Sequence, residues 1–177
     1  MEGKTLADSN ITKKALAESM KTLLGTMPFS KISVSDICEV CGMNRKSFYY
    51  HFRDKYDLIN WIFHTEFYEA ACAKPYEDGW EFILGICKYF YSNHAFYKKA
   101  FEITGQNSFR DYFQEILEPI LLQYSAEMFD FEDPPEFFIT FISDALIISM
   151  IRWLSARSCM EPEEYVRQLR ACCCRMI

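Results

Sequence analysis

Apolar residues in the first third of the chain recur at helical spacing, not at the alternation of strands. Leu16, Met20, Leu23 and Met27 follow at steps of four, three and four, with Thr12 as a possible cap ahead of them and Pro28 as the stop behind. A second helix opens at Ser33, where Asp36 three residues on completes a capping box and Ile37, Val40 and Cys41 share one face; Gly42 ends it. Asn44 caps a third, with Met43 just outside it and Phe48 at the fourth helical position in the arrangement of a hydrophobic staple. So short a connection makes helices two and three a helix-turn-helix candidate. Asp54 and Asp57 form a capping pair at the head of a fourth helix, DKYDLINWIFHTEFYEA, whose apolar residues cover more than one face. Such a helix has to touch two neighbours, so it connects this first unit to the rest.

The remainder is also patterned as helix. Trp80, Ile83, Leu84, Cys87 and Tyr91 form one stripe, and Phe109, Phe113, Ile116, Ile120 and Tyr124 another, crossing Pro119, where a kink or break is expected. The run FFITFISDALIISMIRWL, residues 137 to 154, is apolar on nearly every face. Its length would suit a membrane span, but Asp144 and Arg152 make that costly, and a buried helix at a subunit interface fits better. Pro162, Glu163 and Glu164 open a last helix whose seam is Val166, Leu169, Cys173 and Met176. The expected fold is therefore all-α, with a three-helix unit over residues 1–53 and a larger helical unit over residues 54–177. The apolar surface of the last two helices exceeds what one small core can bury, so a symmetric homodimer is expected through Phe141, Ala145, Ile148, Arg152, Val166, Leu169 and Cys173.

With 177 residues, half of them apolar and 17% aromatic, the chain can bury a substantial core; disorder is expected only near residues 1 to 10. MEGKTLADSN has no apolar signal region, so a cytoplasmic protein is expected. The eight cysteines are irregularly spaced and read as reduced thiols packed as small apolar groups. The net charge of -6 is uneven: residues 1 to 65 carry nine Lys+Arg against seven Asp+Glu, whereas residues 66 to 177 carry ten against eighteen. A polyanion would be met by the first part.

That draws attention to CGMNRKSFYYHF, residues 41 to 52. A helical wheel puts Phe48 and Phe52 on one side and Lys46 and Tyr50 close to opposite, flanked by Ser47 and Tyr49. Two phenylalanines hold the helix down while an amine, a hydroxyl and phenols face outward. Such a face suits a DNA major groove: Lys and Arg donate to guanine or phosphate, hydroxyls bond phosphates, and an aromatic edge packs on a thymine methyl. A solvated surface helix is the plainer alternative, but two adjacent exposed tyrosines within a capped helix-turn-helix weigh against it.

The segment ISVSDICEVCGMNRKSFYYHFRDKYDL resembles the DNA-binding domain of the TetR family of bacterial transcriptional regulators, through Val34, Asp36, Ile37, Gly42, Phe48, Tyr49, His51, Phe52, Lys55 and Leu58. Cys41 stands where that family commonly has Ala, and Met43-Asn44 where Val-Ser is common. The resemblance implies an all-α homodimer with an N-terminal DNA-binding domain and a C-terminal domain for dimerisation and effector sensing. Carried over by position, it implies Lys46, Ser47 and Tyr49 near bases, Ser33, Tyr50, His51 and Lys55 at the phosphate backbone, Arg45 in either role, and Ser35 and Asn44 also among the DNA-binding residues. NWIFHTEF and YEDGWEFILGICKYFYSNHAFYKKAF look like the branch that includes the activator of dihydroxyacetone kinase genes, in which a partner protein can stand in for a small effector. A small effector in the helical domain would meet Trp80, Cys87, Tyr91, Phe113 and Ile116. Repression is the commoner outcome in this family, so a repressor of a palindromic operator is the first expectation; an activator controlled by a protein partner is the alternative.

Other motifs carry less. Cys38-x-x-Cys41 lacks a second half for a zinc site, and Cys172, Cys173 and Cys174 diverge by 100° per residue on a helix, so neither a metal nor a cofactor is expected. His64 and His94 are isolated, and Asp144 with Arg152 suggests an ion pair across a dimer seam or in a pocket. There is no nucleophile-base constellation, glycine-rich phosphate loop or metal motif, so an enzyme is not expected.

Overall fold

The computed structural model describes residues 2–73, 76 and 78–173, the first seven of them by backbone alone. Among the described residues every regular element is helical. In chain order they are α1 (Glu2–Thr26), α2 (Val34–Val40), α3 (Arg45–His51), α4 (Lys55–Phe63), α5 (Glu69–Cys72), α6 (Gly79–Ser92), α7 (His94–Phe101), α8 (Phe109–Gln123), α9 (Ser125–Phe129), α10 (Glu136–Ser155) and α11 (Pro162–Cys173). A short 3-10 turn, Phe29–Lys31, follows α1, and a π-helical turn, His64–Tyr68, joins α4 to α5 without a break.

Capping chemistry fixes the first unit. Ser33 accepts from the Asp36 backbone N–H while Asp36 accepts from that of Ser33, the reciprocal pair expected. Asn44 Oδ1 accepts from Ser47 N at 2.9 Å, and Gly42 turns the chain between these helices at φ 67°, a conformation that suits a residue without Cβ. Asp54 caps α4 through Tyr56 N and Asp57 N, but Asp57 accepts from Arg53 N, one residue earlier than a strict box requires. Leu16, Met20, Ile37, Phe48 and Leu58 are fully buried in the resulting core.

Several expectations are corrected. α1 begins at Glu2, ten residues before Thr12, because a capping residue marks where a helix can start and not where it must. Val40 is 50% exposed and Cys38 takes its place inside beside Ile37, so the buried face of α2 is turned by a fraction of a turn from the one expected. α8 runs through Pro119 to Gln123 unbroken; Leu117 and Leu121, fully buried on either side, hold the helix across the missing N–H.

α4 touches α1 on one side and α8 on the other, which accounts for its apolar residues on more than one face. Phe63 stands in a cluster of rings: Phe67, Phe90, Phe109 and Phe113 have their centres between 5.5 and 5.7 Å from it, and Tyr97 packs on Phe90 at 4.6 Å. The π turn brings Glu66 between two partners, Lys21 of α1 at 2.5 Å and the Tyr89 hydroxyl of α6 at 3.0 Å. Tyr89 in turn accepts from the buried Tyr97 hydroxyl at 3.0 Å. A hydrogen-bonded chain therefore runs from the ring cluster to the first helix.

α10 is the one helix among the described residues long and apolar enough to cross a membrane. One face, including Leu146, Ile147, Met150 and Leu154, packs on α8 and α7. The opposite face carries Phe137, 80% exposed, stacked beside the half-exposed Phe141, and a shallow groove of about 380 Å³ along Ala145, Ile148 and Arg152. Asp144 pairs within the chain, with Arg110 of α8 at 3.5 Å. α11 differs from expectation: Val166 is buried, and Leu169 and Cys173 are partly buried, where α11 lies on α6. An amphipathic helix has one apolar stripe, and here the chain's own α6 covers it. Met176 and Cys174 lie outside the described residues.

Candidate nucleic-acid interface

α3 is a seven-residue helix with Phe48 fully buried beneath it, 5.7 Å from Phe52, which meets Trp61 of α4 at 5.6 Å. Anchored this way, the helix turns its other side to solvent: Arg45 and Lys46 are exposed, Tyr49 is 51% exposed and Tyr50 is 83% exposed. Aromatic rings so open to water leave most of their surface available to another molecule.

The groups on this face are partly preordered. Arg45 Nη2 donates to the Tyr49 hydroxyl at 3.3 Å, one helical turn on, and the guanidinium lies over that ring, so the two side chains present a joined cationic and phenolic edge. The ring of His51 packs edge-on to Tyr50 at 4.9 Å. Burial, then the charge of Lys13, lowers the His51 pKa from its ordinary 6.5, so at neutral pH it is an uncharged donor and acceptor. Ser47 Oγ donates to Asn44 Oδ1 at 3.3 Å, and Ser33 Oγ accepts in the α2 cap, so both serines and Asn44 shape the helix ends as well as lining the surface. Ser35 is exposed in the first turn of α2.

Lys55 is placed differently from its neighbours. Its ammonium points inward, donating to the Phe29 carbonyl at 2.7 Å and the Ile32 carbonyl at 2.8 Å, and desolvation there lowers its pKa. Lys99 of α7 does the same for α1, donating to the carbonyls of Leu24 at 2.6 Å and Gly25 at 3.1 Å. The Leu24 and Gly25 carbonyls stand in the last turn of α1, where intrahelical donors run out, whereas the Phe29 carbonyl accepts from Ile32 N as well as from Lys55. These two lysines were not recognisable as braces from sequence, because the acceptors lie 26 and 75 residues away. Lys13, which bears on His51, was likewise not singled out; its position on α1 gave no sign of that neighbour.

The residues expected around an effector fall on two faces of α6. Phe113 and Ile116 are buried from α8, Phe113 5.3 Å from Phe90. Tyr91, by contrast, stacks at 6.2 Å on Trp153 and donates to Glu161, and Trp80 and Cys87 are buried on α6, Trp80 edge-on to Phe129. Cys38 is buried and Cys41 Sγ lies 3.4 Å from the Ile37 carbonyl, as packed thiols do.

Residues 21–62 match a family model described as bacterial regulatory proteins, tetR family, and residues 78–172 match one described as transcriptional regulator C-terminal region. The chain is 29% identical over 148 residues to the HTH-type dhaKLM operon transcriptional activator DhaS of Lactococcus lactis subsp. lactis (strain IL1403), covering 81% of this chain and 79% of that protein. Its fold is similar to that of a TetR transcriptional regulator from Streptococcus agalactiae 2603V, with a TM-score of 0.74 at 21% identity over 97% of this chain and 98% of the other. It is also similar in fold to a solved dihydroxyacetone kinase operon activator DhaS, with a TM-score of 0.60 at 24% identity over 94% and 98% of the two chains.

Proposed function

Because this chain belongs to the tetR family of bacterial regulatory proteins, we propose that it is a cytoplasmic, sequence-specific DNA-binding activator of transcription that works as a homodimer. Regulators of this family bind DNA and act as dimers. Here residues 1–53 form the DNA-binding domain, and residues 54–177 the regulatory and dimerisation domain. α3 enters the major groove: Lys46, Ser47, Tyr49 and Arg45 meet base edges, and Ser33, Ser35, Tyr50 and His51 meet phosphates. Lys55 contributes its backbone N–H at the start of α4, since its ammonium is engaged inside. The observation that carries this reading is the outward face of α3, with Tyr50 83% exposed above a fully buried Phe48.

Dimerisation uses the exposed α10 face of Phe141, Ala145, Ile148 and Arg152. Activation is preferred to repression because the Lactococcus relative is named an activator. Control by a partner at the surface is preferred to a ligand in the core, because the rings of Phe63, Phe90, Tyr97, Phe109 and Phe113 pack on one another there.

Selection of bound sequences from random duplex DNA, followed by transcription in vitro from the selected site, tests the reading. Enrichment of a palindrome and a rise in transcript on adding the protein is the expected result. A fall in transcript would make the protein a repressor, and no enrichment would overturn DNA recognition.

A further inference from the structure

A cation stands beside the recognition helix that the contacts assigned above leave out. Lys13 of α1 holds its ammonium 5.7 Å from the centre of the Trp61 ring on α4. Trp61 meets Phe52 edge-on at 5.6 Å, and the rings of Phe52 and His51 are 6.4 Å apart, so Lys13 comes to the end of α3 from the side of its anchor. α1 packs on both α3 and α4, which fixes that approach.

Among the described residues nothing neutralises this ammonium. The positions one turn to either side of it on α1 are Ser9, Asn10, Leu16 and Ala17, none of them acidic. No ion pair among the described residues includes Lys13. An indole face steers an ammonium but leaves its N–H donors free for a stronger acceptor. Other lysines are committed: Lys21 to Glu18 and Glu66, Lys55 and Lys99 to carbonyls. On the far side, Lys13 is the one charge that bears on the His51 imidazole, and no carboxylate offsets it there. The Tyr50 ring, 4.9 Å from that imidazole and largely open to water, adds a hydroxyl to the same edge. A cation beside a neutral imidazole, with no acid between them, draws an anion.

We infer that Lys13 is a further DNA contact: its ammonium, steered by Trp61, shares with His51 one phosphate of the strand bordering the groove that α3 enters. An ammonium on a supporting helix reaches the backbone and not the base edges, so its contribution is affinity without sequence preference. A plainer role, a prop that keeps the Trp61 ring in place, would need the aliphatic stem of the lysine and not its charge. The inference rests on the proposed function, because only a duplex lying along α3 brings a phosphate to this edge.

The experiment is a salt titration of duplex binding by the full chain, read by fluorescence anisotropy on a selected duplex and a scrambled one, with Lys13→Met, Lys13→Arg and Lys14→Met beside the wild type. Lys13→Met should weaken both duplexes alike, by about fivefold per protomer at about 0.15 M salt, and lower the salt slope by about one unit per protomer, the loss of one released counterion. Lys13→Arg should restore the slope. Lys14→Met, which removes the same charge from the next position, should keep it. In the free protein, an NMR titration should show the His51 imidazole pKa rising in Lys13→Met, because a like charge has gone. A slope unchanged by Lys13→Met, an equal loss from Lys14→Met, or an unmoved His51 titration would each overturn the contact while leaving the DNA reading in place. A wild type that binds neither duplex would instead overturn the DNA reading, and the contact with it.

Discussion

The ammonium of Lys55 donates to the carbonyl of Phe29 at 2.7 Å and stands 4.2 Å from the centre of that residue's ring. The first residue of α4 thus holds the 3-10 turn that precedes the helix-turn-helix, and the support of the recognition helix is tied to the connector.

Lys55→Ala should therefore be a stability variant first. Two carbonyls lose a charged donor, and a loss of about 1–3 kcal/mol is expected in denaturant unfolding. The salt dependence of DNA binding should keep its slope at a temperature where the variant is folded. A slope reduced by about one unit with unchanged stability would return the ammonium to the phosphate backbone.

Lys46 is exposed on α3 with no structural duty. Lys46→Ala should leave the unfolding midpoint in place, lose about 1–3 kcal/mol against the preferred duplex and discriminate less from a scrambled one. Equal weakening on both duplexes in a competition assay would mean that Lys46 meets phosphate instead of bases.

The α2 cap should be sensitive to acid. Hydrogen bonds from the Ser33 backbone and side chain lower the Asp36 pKa below its ordinary 3.8. A carboxylate depressed in the folded state stabilises it fully above the ordinary value, and the contribution disappears as pH falls through the folded value. Asp36→Asn should accordingly flatten the acid limb of the stability profile below about pH 5. If the variant follows the wild-type profile in shape, the capping box is not a source of acid sensitivity.

Ile148 lies on the open α10 groove with Ala145 and Phe141. Ile148→Asp should leave helicity intact, convert the dimer to a monomer in sedimentation at micromolar concentration, and abolish tight binding to a palindrome with half-sites about 10 bp apart. A wild-type monomer, or a variant that stays dimeric, would place the interface elsewhere.

Much of the first unit was legible because its determinants are local. Ser33 with Asp36, Asn44 with Ser47, and Gly42 between them act over three residues or fewer, and sequence spacing fixes them before any tertiary contact forms. The outward direction of Lys46 and Tyr50 followed from Phe48 and Phe52 one turn apart, a matter of helical period alone. Val40 shows the limit: two candidate faces of α2 differed by a fraction of a turn, and packing on α1 chose between them.

By itself, then, the sequence determined the helix-turn-helix pair α2 and α3, their caps at Ser33 and Asn44, and the chemistry of the exposed α3 face. Tertiary structure alone decided which apolar stripe covers which. α11 has the pattern of an interface helix, yet α6 of the same chain buries Val166, while α10 keeps an open face with Phe137 and Phe141. It also decided the braces from Lys55 and Lys99, the Lys21–Glu66 link and the unpaired Asn60 oxygen. The physical reason is range: periodicity and capping act within a turn or two of helix, whereas burial and ion pairing depend on which distant segment arrives, and a stripe or a charge does not name its partner.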